Sequence, residues 1–459
     1  MARSGDVLGG FTLTEIIHRG GMAVLWGATH PEHDGPILVK LPKLAEGEDP
    51  AAIVGFEMER MILPRLSGPH VPRCLGTGHE PLPWIAMERV EAASLLPLLE
   101  ALPLPFAEVA AIGAAVADAL DALHRQGCVH LDIKPSNILR RADGSVVLVD
   151  FGLSHHALLP DLMEEEFRLP YGTAPYMAPE QVAGVRGDPA SDLFALGALM
   201  CFFTTGVRPF GDPQRLSGLL RRLWWDPRPP RQLRPDTPPW LQELVLWCLE
   251  VEPQRRPASA AQLAMLLRHP EQVPLTARAE RTARDPWTAR VRRRFHPEHR
   301  PRLRRDRPAE PGADAPIVAV AVELAGEAGA LDAELRRTLG HILAATPGAR
   351  LACLNVLKGN LIRLDTTLDA EGRNRHLQRL LELRHWAAPM ALPEERVSFH
   401  VLESASVAGA LLDYAETNNV DHLVLGASAD GLGRRVLGST SAEIARSAPC
   451  SVTVVRRRG

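Results

Sequence analysis

Lysine is almost missing from this chain of 459 residues: Lys40, Lys43, Lys134 and Lys358 are the whole supply, and nearly all other positive charge is arginine. An excess of either sign is missing too. With 52 basic against 55 acidic residues the net charge is -3, which excludes a polyelectrolyte built to hold nucleic acid or a membrane surface. No CxxC pair occurs. Cys74, Cys128, Cys201, Cys248, Cys353 and Cys450 are scattered, which suits buried thiols in a reducing compartment better than a disulfide framework or a zinc site. No apolar run reaches the roughly 18 residues that a membrane span needs. The opening MARSGDVLGG also lacks the apolar stretch of a secretion signal, so the expected location is the cytoplasm, without membrane or nucleic-acid partners.

What is present is ample apolar material, 46% against 23% charged, in a length that suggests two or three domains. Alternating β-branched residues in FTLTEII, around HRGGMAVLWGATH and in PILVKL predict strands about a glycine-rich turn. Asp49 as N-cap and Pro50 as first helical residue then open a helix on which Ile53, Phe56, Leu63 and Leu66 recur at helical spacing, with Glu59 near the apolar face. Strands over 73–78 and 84–90 complete a small lobe, 1–90. Ala-rich helices within 91–270 form a larger one. Residues 271–314, rich in arginine and scattered proline without apolar period, are expected to be a solvated tether. From 315 to 459, PIVAVAV, RLACLNVL, VSFHVL, DHLVLGA and SVTVV alternate with helices, the pattern of a parallel doubly wound sheet.

The chemistry-bearing residues fall in one order. A glycine-rich turn, a strand lysine at Lys40 and a helical Glu59 come first. Then follow His130-Leu131-Asp132-Ile133-Lys134-Pro135-Ser136-Asn137, Asp150-Phe151-Gly152 and Ala178-Pro179-Glu180. In a chain this poor in lysine, finding it at two specified positions by chance is roughly a one in ten thousand event on composition alone. Over about residues 11–268 this series resembles the protein kinase family. The resemblance implies a bilobal α+β kinase fold that uses ATP and Mg2+ to phosphorylate protein hydroxyls. Moving a γ-phosphoryl group takes positioning and charge neutralisation more than covalent help. Lys40, oriented by Glu59, would hold the α/β phosphates; Asn137 and Asp150 would hold magnesium, a hard ion that prefers oxygen. Asp132 would take the hydroxyl proton and Lys134 would steady the transferred group. Ile17, His18, Gly20, Gly21, Ala23 and Leu25 would line the nucleotide, with Met87 behind the adenine and the backbone of Glu88 and Val90 on its edge. Lys134, with Thr173 bridging it to Asp132, implies protein substrates with serine or threonine. Asp192, and Arg256 paired to Glu180, would brace the larger lobe.

The pattern departs from the family in two places. His18 and Ala23 stand where GxGxxG has glycine, and glycine is what permits close backbone approach to phosphates. Leu131 stands where most kinases have the arginine that receives a phosphorylated activation loop, which makes this a non-RD sequence. Between Gly152 and Thr173 the hydroxyl side chains are Ser154 and Tyr171, and the middle carries Glu164-Glu165-Glu166, carboxylates that either pair with another arginine in place of a phosphate or are solvated.

Residues 315–459 resemble the universal stress protein family through VDHLVLGA, the stretch 426–439 and the ending SAPCSVTVV. That implies a five-stranded doubly wound sheet (flavodoxin-like, adenine nucleotide alpha hydrolase-like), homodimerisation through the last strand and a possible second nucleotide site at Gly426, Gly438 and Ser439. Ala429 replaces one glycine of the family's GxxG motif, its spacer is one residue short, and Glu323 is the only acid near the end of the first strand. Three readings follow: an active kinase, a nucleotide-binding scaffold without transfer, or a stress sensor whose C-terminal domain is primary.

Overall fold

The computed structural model describes residues 2–20, 23–43, 50–167, 170–295, 315–324, 329–358, 374–427 and 439–456. Its first element is a 6-stranded antiparallel sheet formed by β1 (Val7–Leu8), β2 (Phe11–Arg19), β3 (Ala23–His30), β4 (His33–Pro42), β5 (Cys74–Gly78) and β6 (Trp84–Glu88), in the order β1-β2-β3-β4-β6-β5. Period-two alternation decides which side chain faces which layer. On β4, Ile37, Val39 and Leu41 join Phe11, Leu13 and Trp26 in the outer core of the sheet, which turns Leu38 and Lys40 to the opposite face. On that face lies helix α1 (Pro50–Ile62). Its expected N-cap, Asp49, lies outside the described residues. Helix α1 is buried at every position from 51 to 62, so it is covered on its outer side as well as by the sheet.

The larger lobe packs α2 (Phe106–His124) between α4 (Ala190–Thr205) and α6 (Ala260–Arg268), with α5 (Pro239–Cys248) against α4. Between α2 and α4 a short helix, α3 (Leu162–Glu166), sits in the segment that follows Asp150-Phe151-Gly152. Helices α4 and α5 approach closely at Gly197, where an added Cβ would stand 2.5 Å from the Cβ of Cys248.

The tether expected over 271–314 is in part a strap. Residues 273–285 lie along the larger lobe, with Val273 in its core and Ala279 buried. Gln242, fully buried on α5, donates through Nε2 to the carbonyls of Arg278, Ala279 and Arg281 at 2.8, 3.0 and 2.9 Å. Arg278 pairs with Glu243 and Glu250, each at 2.9 Å. Arginine count signalled solvent; the acid Glu243 on α5, with Glu250 just after it, holds Arg278 instead, and Arg281 meets Asp226 and Asp285.

The second domain has one parallel sheet: β7 (Ile317–Ala321), β8 (Arg350–Lys358), β9 (Val397–Ser404), β10 (His422–Ala427) and β11 (Ser451–Arg456). Helices α7 (Gly329–Ala345) and α8 (Arg375–Ala387) cover one face, α9 (Val407–Thr417) and α10 (Ser439–Ser447) the other. The arrangement is doubly wound as expected. Its order, β9-β8-β7-β10-β11, is 3-2-1-4-5 in chain terms, which corrects the flavodoxin-like label, since flavodoxin runs 2-1-3-4-5. Among the described residues no helix is long and apolar enough to cross a membrane.

Gln242→Leu is expected to loosen the strap, because three carbonyls lose the Gln242 donor; Arg278 and Ala279 keep a second one, from the Arg281 N–H and Arg231, while an unpaired buried carbonyl at Arg281 costs about 1–3 kcal/mol. Limited trypsin digestion should then cut after Arg278 and Arg281 severalfold faster than in the parent; an unchanged cleavage rate would show that the strap is held by something else.

Candidate active site

Lys40 enters the space between the lobes from β4. Its Nζ donates to a Glu59 carboxylate oxygen from α1 and, at 2.9 Å, to Oδ1 of Asp150. Burial opposes the lysine's charge, but Asp150 and Glu59 more than offset it and hold the ammonium above the ordinary lysine range. Lys40 in turn pulls the Asp150 carboxyl below its usual range. Helix α1 reaches this position through a backbone approach. A Cβ on Gly55 would stand 3.2 Å from the carbonyl oxygen of Gly152, so glycine at both positions lets the helix touch the turn that carries Asp150.

Asp132 is the second focus. Lys134 Nζ donates to its Oδ2 at 2.5 Å and Asn137 Nδ2 at 3.1 Å. Thr173 donates to Oδ1 through both its hydroxyl (2.7 Å) and its backbone N–H (3.1 Å). The loop that holds Asp132 is pinned from beneath: the backbone N–H groups of His130 and Leu131 each donate at 2.8 Å to the fully buried carboxylate of Asp192, which also meets His124 Nε2 at 2.8 Å. Leu131 adopts a left-handed φ of 64° and Asp150 one of 70°, strained conformations for residues with a Cβ that these surroundings impose. Glu180 and Arg256 form a buried two-pronged pair at 2.6 and 2.7 Å. The oxygen donors near the cleft, the Asp150 carboxylate and the Asn137 amide, suit a hard divalent cation that completes its shell with phosphate and water oxygens.

Of the expected nucleotide-lining residues, Met87 is buried near the end of β6, with Glu88, its last residue, and Val90, in the segment that follows, both half-buried. Ile17 and Leu25 lie on adjacent strands, exposed His18 pairs in register with Leu25, and Gly20 N–H donates to the carbonyl of Ala23 at 3.0 Å to close the turn. Gly21 lies outside the described residues. In the second domain Gly426 sits near the carboxyl end of β10, beside β7, where the strand order reverses; exposed Glu323 follows β7. A Cβ on Gly426 would stand 3.0 Å from Leu331 of α7, so close helix packing accounts for this glycine without a ligand. Gly438 lies outside the described residues, as does the side chain of Ser439.

Sequence reasoning missed several supports. Gln181 donates to the Leu131 carbonyl at 2.8 Å. Buried Arg222 donates to the carbonyls of Met177 and, at 2.8 Å, of Ala174, and burial pushes its pKa down to about 10. Arg186 joins Asp161, the N-cap of α3, to the carbonyl of Leu153. Each is an ordinary polar residue in the sequence, and only tertiary placement distinguishes it.

Between the two lobes a lysine, a helical glutamate and two aspartates line one cleft, and comparison with known proteins gives the family. The protein kinase domain model matches residues 11–270, and the universal stress protein model residues 317–456. The chain belongs to the protein kinase family and carries a universal stress protein domain behind it. Among curated relatives, serine/threonine-protein kinase PknB of Mycobacterium leprae is 30% identical over 259 residues, 55% of this chain and 42% of that protein. PknL of Mycobacterium tuberculosis is 32% identical over 246 residues, 53% of this chain and 61% of that protein. The chain thus spans about two fifths to three fifths of the length of these relatives. A crystal structure of the Mycobacterium tuberculosis PknI kinase domain aligns with 59% of this chain and 99% of its own, at 25% identity and a TM-score of 0.47.

Proposed function

We propose that this protein is an ATP- and magnesium-dependent serine/threonine protein kinase, acting in the cytoplasm on protein hydroxyls. The observation that carries the reading is the assembled pair of foci: Lys40 joined to Glu59 and Asp150, and Asp132 joined to Lys134, Asn137 and Thr173. Lys40 binds the α/β phosphates, with Glu59 fixing its rotamer. Asp150 and Asn137 hold the magnesium, which neutralises charge on the phosphates. Asp132 aligns the attacking serine or threonine hydroxyl and takes its proton, while Lys134 offsets charge on the transferred phosphoryl group. Ile17, His18, Gly20, Gly21, Ala23 and Leu25 close over the nucleotide; Met87 backs the adenine, and the backbone of Glu88 and Val90 meets its edge. The scaffold alternative is disfavoured because none of these transfer residues has been replaced. Asp132→Asn and Lys40→Met should each lower transfer of labelled phosphate to a generic basic protein by at least about a thousandfold, with the fold kept by circular dichroism. Transfer retained by Asp132→Asn would sink the assignment.

We further read the enzyme as a non-RD kinase whose activation segment works without phosphate. Leu131 is 4% exposed and offers a phosphate no charge, and the segment's Glu165 is already paired. Phosphatase treatment should leave the rate unchanged, and mass spectrometry should find no stoichiometric phosphate between residues 154 and 173; a large loss of rate would refute this.

For the universal stress protein domain we propose homodimerisation through β11. This strand is the sheet edge opposite β9, and an apolar edge leaves backbone groups that a symmetry mate can satisfy. Light scattering should report a dimer for the full chain and a monomer after deletion of 450–459; a monomeric full chain would refute the contact. Nucleotide sensing at Gly426, Gly438 and Ser439 is the weaker reading, given how Gly426 packs.

A further inference from the structure

Helix α1 has no solvent-facing side between residues 51 and 62, and the cover on its outer face is the C-terminal domain. Ile53, 2% exposed, belongs to the apolar cluster of that domain, with Trp386 of α8 and Phe399 of β9. About one turn further along the helix the contact becomes ionic. Glu57, 2% exposed, takes Arg384 from α8 and, at 3.1 Å, Arg60 of its own helix, while Arg60 reaches on to Glu394 at 3.3 Å. Arg384 also lies over the Phe399 ring at 4.7 Å.

The same domain grips the segment after Asp150. Helix α3 lies against the β9 edge, and its Glu165 carboxylate meets Arg350 on one oxygen and, on the other, the Tyr414 hydroxyl and His400 Nε2, each at 2.9 Å. Glu166 meets His400 Nδ1 at 3.0 Å, and Asn418 Nδ2 donates to the Glu165 carbonyl at 3.4 Å. Helix α3 also touches α1 directly, where the Leu162 N–H approaches Met58 Sδ at 3.4 Å. The two elements whose placement assembles the site, α1 with Glu59 and the segment running from Asp150 to Thr173, are therefore bound to one outside body.

We propose that the C-terminal domain is a built-in positioning element of the phosphoryl-transfer site, with Arg384 holding α1 and Arg350 holding α3 so that Glu59 stays on Lys40. The inference rests on the kinase reading and adds how that site is kept assembled. It assigns to Arg350 the task that a catalytic-loop arginine performs on a phosphorylated loop: a cation supplied from the other domain meets a genetically fixed carboxylate. The sign of the effect follows from the geometry, because in the docked state the Lys40–Glu59 pair and the Thr173–Asp132 bonds are made. The charges support it. Against the cost of burial, Arg384 and Arg60 hold Glu57 down to about 2, Arg350 and His400 hold Glu165 down to about 2, and Glu165 with Glu166 lifts His400 to about 9.

The test uses the full chain with Arg350→Glu and Arg384→Glu combined, beside Arg350→Lys with Arg384→Lys, which keeps both charges. Two readouts are taken: hydrogen exchange of peptides covering 50–62 and 161–167, and kcat and KM for transfer to a generic basic protein. The glutamate variant should exchange at least about tenfold faster in both peptides while the strands at 317–321 and 422–427 stay protected, and its kcat should fall at least about tenfold; the lysine variant should restore most of both. Unchanged exchange would overturn the inference, as would faster exchange with an unchanged or raised kcat, which would make the contact idle or inhibitory. If the parent chain transfers no phosphate the kinase reading fails, and exchange at 50–62 and at 161–167 still decides whether Arg384 holds α1 and Arg350 holds α3.

Discussion

Everything at the centre of this molecule depends on keeping one ammonium group charged where water is scarce. Lys40 is mostly buried, on a strand whose neighbouring side chains are apolar, and an isolated charge there would lose several kcal/mol of hydration. It is tolerated because two carboxylates arrive with it, Glu59 from the small lobe and Asp150 from the junction with the large one. That requirement reaches outward. Glu59 is in place only if α1 lies against the sheet, Asp150 only if the turn at Gly152 meets Gly55, and both only if the lobes close to this separation. The triad is at once the lobe hinge's lock and the place where phosphate charge would be received, so stability and chemistry draw on the same three residues.

How far this was legible from the sequence depends on the range of the contacts involved. The catalytic loop, with Asp132, Lys134 and Asn137 inside six residues, is a local pattern, and the local backbone brings its members together as spacing alone suggests. Lys40, Glu59 and Asp150 were found through order along the chain and the rarity of lysine, not through any visible adjacency. The inter-domain pairs were out of reach: Arg350 is 185 positions from Glu165, and Arg384 is 327 from Glu57. In a chain with this many arginines a single one carries no signal. Glu57 illustrates the limit, since a glutamate one turn from Arg60 on a helix reads as a solvated surface pair, and here both are buried. Between the alternatives left open for Glu164-Glu165-Glu166, solvation or pairing with another arginine, the structure gives Glu165 an arginine, Arg350, while Glu166 meets the imidazole of His400.

The linker and the glycine at 426 show the opposite error, in which a compositional signal is real but its cause is different. Arginine and proline without period did mark a segment lacking its own core, yet residues 273–285 found one on the large lobe, because α5 offers the buried acid Glu243 and the donor Gln242 between strap carbonyls, and half-buried Glu250 follows just after the helix. Gly426 stands where a phosphate-binding glycine would, at the reversal of strand order, yet it is also where Leu331 of α7 packs, 3.0 Å from where a Cβ would stand. A glycine demanded by packing and one demanded by a ligand look alike in a single sequence.

The sheet of the second domain finally explains how one small module can serve two contacts. A parallel doubly wound sheet has both faces covered by helices, so its edges are what remain for backbone or side-chain docking. Order 3-2-1-4-5 places β9 at one edge and β11 at the other, with three strands between them. The kinase domain occupies the β9 edge through α3 and α1, where the docking charges are side chains from β8, β9 and the ends of α8 and α9. A second copy meeting β11 would therefore compete for none of the residues that hold α1. Positioning within one chain and pairing between chains can coexist, and the β10–β11 end of the sheet connects to the kinase contact by two routes: the central strands, paired in register from Val318 to Ala321, and α10 packed on α9, which carries Tyr414 to Glu165.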